Sequence, residues 1–271
     1  MNVFVLTGAG VSAESGLGVF RGPAAVLWKR YDPTQLATPE AFARDPALVH
    51  EFYNARRRNL IAASPNAAHV ALARLEAGLA QRGGALTLVT QNIDDLHERA
   101  GSASVIHMHG ELLKARCGSC GMVVDWRNDL AIDSRCGCAG ALRPHVVWFG
   151  ETPLYMDEIY AALELADLFV AVGTSGAVYP AAGFVREARA KGLRCCELNL
   201  EPSDNADEFD DRRYGPASEI VPSWVEETNA MNQRHSRRAK RDRESKATTT
   251  IARIALDSRL RGNDMRRRLS R

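Results

Sequence analysis

The sequence predicts an α/β fold: a Rossmann-like parallel sheet with helices on both faces, plus a small zinc-binding module and a helical insertion. Three observations carry that expectation. Short apolar runs ending in glycine-rich or polar turns (NVFVLT, ALTLVTQN, DLFVAVGTS, LRCCELNL) alternate with segments of helical periodicity. The first of these runs passes straight into GAGVSAESGLG, the kind of turn that brings backbone amides close to a phosphate. Four of the six cysteines fall between 117 and 138, which in a reducing compartment points to a metal rather than to disulfides.

In chain order, NVFVLT is the first strand, and a helical region follows its turn, clearest in ALVHEFYNARRRNLIAA. NAAHVALARLEAGLAQR has apolar residues at helical spacing, starts after Pro65 and takes Asn66 as its N-cap. ALTLVTQN is the second buried strand. Residues 114–142 lack long apolar runs and carry the clustered cysteines, so a metal-held module is expected there. VVWFG, DLFVAVGTS and LRCCELNL supply further strands, separated by helical MDEIYAALELA and PAAGFVREARAKG, and SEIVPSWVEET is the last segment with a packing pattern. The expected organisation is a body over 1–229, with a helical insertion near 22–64 and the metal module near 114–142, followed by a basic, disordered tail over 230–271.

A chain of 271 residues with 45% hydrophobic and 25% charged content is long enough for one large domain with a smaller one attached. No apolar run nears the ~20 residues of a bilayer span. The start, MNVFVLTGAG, lacks the basic segment and leucine-rich stretch of a secretory leader, so a cytoplasmic protein with no membrane partner is expected. The net charge of +2 conceals a division: residues 230–271 hold 14 Lys/Arg against 4 Asp/Glu, which leaves 21 against 29 in the first 229. A basic tail of this kind can bind nucleic acid, but it is more often plain disordered chain, so nucleic acid is kept as a partner only through the tail.

Gly8, Gly10 and Ala13 fit G-x-G-x-x-A after a strand, the pattern of a dinucleotide phosphate site. The dehydrogenase form adds an acid at the end of the second strand, ~20 residues on; here the chain enters an arginine-bearing helical region instead, so hydride transfer is disfavoured. Gln91, Asn92 and Asp94 follow the second strand, where open α/β sheets bind ligands and where polar residues also cap helices. HMHGEL offers His107 and His109 as candidate bases. Cys117-x2-Cys120 and, 15 residues later, Cys136-x-Cys138 provide four thiolates for one tetrahedral Zn²⁺, although the single spacer of the second pair is tighter than usual. With all four positions taken, such an ion holds structure and has no place for substrate. Cys195 and Cys196 read as core thiols. Tyr53 and Arg56, three apart in FYNARRR, project from one side of a helix. They are either part of a solvated face or a phenol and guanidinium that hold a small carboxylate.

Taken together and in order, GAGVSAESG, FRG, TQNIDDLHERAG, HMHGEL, the cysteine module, LRPHVVWFGE, VGTS and NLE resemble the sirtuins, the NAD-dependent protein lysine deacylases. The resemblance runs from Val3 to about Glu227 and is strongest to the bacterial class with desuccinylating and demalonylating members. It implies NAD as a co-substrate and one structural Zn²⁺ held by Cys117, Cys120, Cys136 and Cys138. By the same resemblance, Gly8, Ala9, Gly10, Ser12, Ala13 and Glu14 form the phosphate-binding turn, with Phe20 and Arg21 in the cofactor loop. Gln91, Asn92, Ile93 and Asp94 line the nicotinamide pocket, and Gly173, Thr174, Ser175, Asn199, Leu200, Glu201 and Ala217 hold the adenosine half. His109 matches the general base because it directly precedes Gly110, with Asn92 and Asp94 as its catalytic neighbours.

On the substrate side, Val147, Trp148, Phe149 and Gly150 match the strand that pairs with the peptide. Tyr53 and Arg56 match a Y-x-x-R pair that grips a succinyl or malonyl carboxylate, whereas Arg57 and Arg58 have no counterpart and are expected to be solvated. After FRG the sequence PAAVLW is one residue longer before Trp28 than the family pattern, which leaves open whether Ala24 lines the acyl pocket. The implied activity removes succinyl, malonyl and acetyl groups from lysine side chains of proteins, releasing nicotinamide and 2′-O-acyl-ADP-ribose. Two alternatives stand beside it: a mono-ADP-ribosyltransferase, in which another nucleophile traps the same ribose carbon, and a non-catalytic protein that binds NAD or acyl-lysine as a signal. The complete set Asn92, Asp94 and His109 favours deacylation.

Overall fold

A computed structural model describes residues 1–18 and 35–230. Phe20, Arg21 and Ala24 lie outside the described residues, as does the tail from 231 onward. In chain order the elements are β1 (Asn2–Thr7), α1 (Pro39–Arg44), α2 (Pro46–Ala62), α3 (Ala67–Ala80), β2 (Ala85–Thr90), α4 (Leu96–Arg99) and β3 (Val105–His107). They continue with β4 (Gly110–Cys117), β5 (Val123–Asp125), β6 (Leu142–Val146), α5 (Met156–Glu164), β7 (Leu168–Val172), α6 (Phe184–Ala190), β8 (Arg194–Asn199) and β9 (Asp211–Tyr214). A last helix, α7, starts at 217. Packing divides the chain into Met1–Val225 and Glu226–Arg271; of the second unit only 226–230 are described, and they are helical.

Six strands form one parallel sheet in the order β3-β2-β1-β7-β8-β9. Successive strands run outward from β1 in one direction and then, after the crossover to β7, outward in the other. The period-2 geometry of a strand sends alternate residues to opposite faces. Val3 and Val5 of β1, Val170 and Val172 of β7, and Cys196 and Leu198 of β8 pack with α3 (Leu72, Leu75) and with Val221, Trp224 and Val225 of α7. Phe4, Leu6, Phe169, Ala171 and Cys195 take the other face, against Ile159 and Leu163 of α5 and Phe184 and Val185 of α6. The adjacent thiols Cys195 and Cys196 are therefore core groups on opposite faces, and burial pushes them up to about 11 and about 12, so both stay protonated.

Helix α3 begins where expected. The Asn66 side chain accepts from Ala68 N, and His69 Nδ1 accepts from Asn66 N, an arrangement worth about 1 kcal/mol.

Three expectations need correction. VVWFG is not a strand of the main sheet: the strand is β6, which ends at Val146 and pairs antiparallel with β4 in a separate three-stranded sheet of order β5-β4-β6. Val147–Gly150 continue beyond it as coil and turn. The main sheet has two further edge strands, β3 and β9, which are too short and, in DRRY, too charged to read as buried strands, as befits edges. Arg57 is not solvated but 0% exposed; only Arg58 faces solvent, its side chain 58% exposed beside Asp129.

Candidate active site and metal centre

The order in which strands are added reverses between β1 and β7, and in open sheets of this kind ligands sit in the crevice beyond the carboxyl ends at that switch point. The turns after β1 and β7 meet there. Gly8 N and Gly10 N donate to Val172 O and Gly173 O at 3.0 and 2.9 Å. A Cβ on Gly10 would lie 2.7 Å from Gly173 Cα, and one on Gly8 would lie 2.7 Å from Gly173 O. Gly173 itself has φ +62. The glycines are thus required by backbone-to-backbone contact between two turns, a reason that the phosphate pattern alone does not supply.

Behind this contact the loop after β2 is tied in by a buried polar network. Asn92 Nδ2 donates to Gly8 O and to Ser12 Oγ, both at 3.1 Å, and Ser12 Oγ donates to Asp94 Oδ2 at 2.9 Å. Because His69 Nδ1 accepts from a backbone amide, its hydrogen sits on Nε2, which donates to Ser12 Oγ at 3.3 Å. Burial lowers the His69 pKa to about 4, so the ring is neutral. Burial also pushes the Asp94 carboxyl above its usual range, against the hydrogen bonds from Leu96 N and Ser12. A second buried string runs from His97 Nε2 to Thr7 Oγ1 (3.1 Å) and on to Thr90 Oγ1 (2.9 Å), which also accepts from Asn92 N.

The two candidate histidines are distinguished by their partners. His107 is buried; burial opposes its charge, but Glu98 Oε1 at 2.5 Å outweighs that and holds the ring above its usual pKa. His109 is half-buried, and its Nδ1 lies 3.0 Å from Gln91 O. A carbonyl can only accept, so Nδ1 carries the hydrogen and Nε2 is left with its lone pair. Burial lowers its pKa, against the pull of that carbonyl. Gly110 follows because the chain turns into the β4–β6 pair there: its φ is +80, and a Cβ would lie 2.2 Å from His145 O.

On α2, Tyr53 is buried and accepts from Trp148 Nε1 at 3.0 Å. An indole is a donor only, so the phenol hydrogen is directed to another acceptor. Burial raises the Tyr53 pKa despite the charge of Arg56, and it stays a donor. Arg56 lies with its guanidinium carbon 5.9 Å from the Tyr53 ring centre. Desolvation lowers its pKa, with Tyr53 and then Asp94 opposing the shift. Of the remaining residues named from the sequence, Asn199 Nδ2 donates to Thr174 O at 2.7 Å, Leu200 and Glu201 are exposed beyond β8, and Ala217 is partly buried at the start of α7. Glu14 accepts from Ser218 N and Oγ, joining the first turn to α7.

A Sir2 family model matches residues 8–180. The chain belongs to the Sir2 family. It is 64% identical over 229 residues to a Caulobacter vibrioides protein named NAD-dependent protein deacylase, covering 83% of this chain and 96% of that one. It is 58% identical over 229 residues to a protein of the same name from Escherichia coli K12, covering 83% and 81%. Among solved structures, a Sir2 homologue mutant in complex with ADP-ribose superposes with a TM-score of 0.76 at 40% identity, covering 88% of this chain and 92% of that one.

In this Sir2-family chain the four module cysteines converge, with all four Sγ atoms within 4.8 Å of one another. Cys117 and Cys138 are 3.5 Å apart, and Cys120 and Cys136 are 3.7 Å apart. An ion with bonds of ~2.3 Å to tetrahedral sulfurs needs S–S edges of ~3.8 Å, so the cluster fits Zn²⁺. Amides of Cys120 and Ser119 point at Cys117 Sγ and pull that thiol down to about 6, toward the thiolate a metal requires. The C-x-C spacing is no obstacle, because Cys136–Ala139 form a tight turn, Ala139 N donating to Cys136 O at 2.8 Å, and both thiols reach the cluster from it. Sequence reasoning missed Asn54 and Arg57, which join α2 to this module. Their signal was an arginine run, and a run does not reveal which member points inward. We expect one zinc ion per chain by metal analysis; Cys136→Ser should lose it to a chelator that leaves wild type and Cys195→Ser loaded.

Proposed function

We propose that this protein is an NAD-dependent protein lysine deacylase that removes succinyl and malonyl groups, and acetyl groups as well, from lysine side chains. The observation that carries the chemistry is His109: a neutral imidazole whose Nδ1–H is held by Gln91 O, leaving Nε2 as a proton acceptor at the mouth of the switch-point crevice. NAD, as co-substrate, supplies a ribose carbon from which nicotinamide is displaced by the acyl oxygen. His109 Nε2 then takes the proton of a ribose hydroxyl so that its oxygen attacks the acyl carbon, and water completes the release of lysine and 2′-O-acyl-ADP-ribose. The crevice suits this co-substrate because two side-chain-free turns leave its floor open, and polar ends of β2, β7 and β8 surround it. Asn92 and Asp94, braced by Ser12, belong to the nicotinamide end, and Thr174, Ser175, Asn199 and Glu201 belong to the adenosine end. In the coil beyond β6 the N–H groups of Val147, Trp148 and Phe149 are bonded within the chain, so the peptide pairs with other main-chain groups of Val147–Gly150. Zinc is held by the four cysteines and keeps the module folded. These free thiols and thiolates suit a reducing, cytoplasmic setting.

Acyl selectivity is assigned to Tyr53 and Arg56. The phenol donates because Trp148 already occupies its oxygen as a donor, and the guanidinium supplies a fork for both carboxylate oxygens. With matched succinyl- and acetyl-lysine peptides followed by mass spectrometry, Arg56→Met should lower the succinyl kcat/KM by about 10–100-fold, the size of lost charged hydrogen bonds, and the acetyl value far less. An unchanged ratio would leave the pair without a part in acyl selectivity. NAD cleavage without deacylation of either peptide would instead favour ADP-ribosyl transfer.

Because burial depresses the His109 pKa, the neutral base dominates at pH 7 and is lost as pH falls through that lowered value. The acid limb of kcat/KM should therefore have its midpoint below the usual imidazole value of about 6.5. A midpoint above it would argue against His109 as the titrating base. Residues 230–271 take no part in this activity: 229 residues already cover 96% of the Caulobacter relative. Truncation after Asn229 should leave turnover and melting temperature unchanged, and loss of either would assign the tail to the enzyme.

A further inference from the structure

Helix α2 presents two pairs of side chains, each spaced three apart. Tyr53 and Arg56 form one pair; Asn54 and Arg57, each one residue further and so about 100° round the helix, form the other. The second pair touches no part of the crevice. Asn54 meets both main-chain polar groups of Leu130, with Nδ2 donating to Leu130 O and Oδ1 accepting from Leu130 N, each at 2.8 Å. Oδ1 also accepts from Arg57 Nη1 at 2.6 Å. A flipped amide would set its NH₂ against two donors, so the orientation is determined. Leu130 belongs to the zinc module, where it is buried with Cys117 and Leu142.

Arg57 reaches the other way: its Nε donates to Leu112 O at 3.1 Å. That carbonyl lies in the stretch of β4 between Glu111 and Ala115 where the register with β6 shifts. In the same stretch, Leu112 N donates to Ile93 O at 2.8 Å, within the loop that carries Asn92 and Asp94. One continuous set of hydrogen bonds thus joins the zinc module, α2 and the nicotinamide-side loop. Burying a guanidinium is costly, the more so because Arg57 Nη2 has no hydrogen-bond partner among the described residues. An apolar side chain would pack there without that cost, but it could not hold two separate elements at defined angles.

We propose that Asn54 and Arg57 are positioning residues for acyl selectivity: they set the rotation of α2 and its distance from the Asn92–Asp94 loop, and so place Tyr53 and Arg56 at the reach of a carboxyl-bearing acyl group. This rests on the assignment of Tyr53 and Arg56 to the substrate carboxylate. A succinyl group spans from the reacting carbonyl to that pair and is sensitive to the helix rotating or sliding. An acetyl group ends short of the pair and is not.

The test is steady-state kinetics of the full chain at saturating NAD, with matched succinyl- and acetyl-lysine peptides, for wild type, Asn54→Ala, Arg57→Lys and Arg56→Met, together with thermal melts. A displacement of order 1 Å is enough for the succinyl kcat/KM to drop by about 10-fold or more in Asn54→Ala and Arg57→Lys, chiefly through KM, with the acetyl value within about 2-fold. A merely structural role would lower both substrates by the same factor, in step with melting temperature, and would overturn the proposal, as would no change in either. Should Arg57→Lys fail to fold, Asn54→Ala decides. Leu130 is buried, but it and Asn54 line a cleft of about 460 Å³ through which water can reach the N–H and C=O groups that alanine would leave unpaired, so that variant is expected to stay folded. If Arg56→Met leaves the succinyl-to-acetyl ratio unchanged, the carboxylate grip fails and this inference with it. If Arg56→Met collapses the ratio and the other two variants do not, the inference alone is wrong.

Discussion

The site depends on one close contact: the turns after β1 and β7 meet backbone to backbone at the centre of the sheet. The separation leaves no room for a side chain on Gly8, Gly10 or Gly173. The contact follows from topology, since β1 and β7 are neighbours whose following segments leave in opposite directions. The carboxyl ends of the strands at this point are thus floored by main chain. Everything placed around the crevice, from the loop after β2 to the segment beyond β8, is referred to this floor. Asn92 is the clearest case, because its amide bonds Gly8 O directly and so locks the second loop to the first turn.

Around the floor the polar groups are buried, and this makes their hydrogen bonding directional. Buried donors and acceptors without partners are costly, so each group's chemistry dictates its neighbour's state. Ser12 receives from Asn92 and His69 and can only give to Asp94. Gln91 O can only accept, which assigns the His109 hydrogen to Nδ1. Trp148 can only donate, which leaves the Tyr53 hydrogen for an acceptor other than the indole. Protonation states that a chain of isolated side chains would leave open are determined here by which atom lies next to which.

Helix α2 links the two halves of the molecule's chemistry. One side carries the phenol of Tyr53 and the guanidinium of Arg56, and the adjoining side is pinned by a buried amide and a buried guanidinium to the cysteine module and to β4. The cysteine module is tied to α2 through the N–H and C=O groups of Leu130. Four thiolates close the coordination sphere, so the ion's effect on catalysis passes through packing and hydrogen bonds alone.

By itself the sequence determined the alternation of strand and helix, the glycine turn, the cysteine cluster and the His-Gly and Y-x-x-R spacings. Each of these depends on local periodicity or on chemistry carried within a few residues. The start of α3 belongs with them, because a cap is satisfied by its own first turn. Tertiary structure alone decided which of two histidines keeps an Nε2 lone pair, since α4 brings Glu98 to His107 and the loop after β2 brings Gln91 O to His109. It alone turned Arg57 inward and Arg58 outward, because residues adjacent on a helix differ only by rotation, and what lies at each angle is supplied by β4 and the module. It also moved VVWFG out of the parallel sheet. A short apolar run is the same string whether it pairs with β7 or with β4, and long-range pairing, which no local pattern encodes, made the choice.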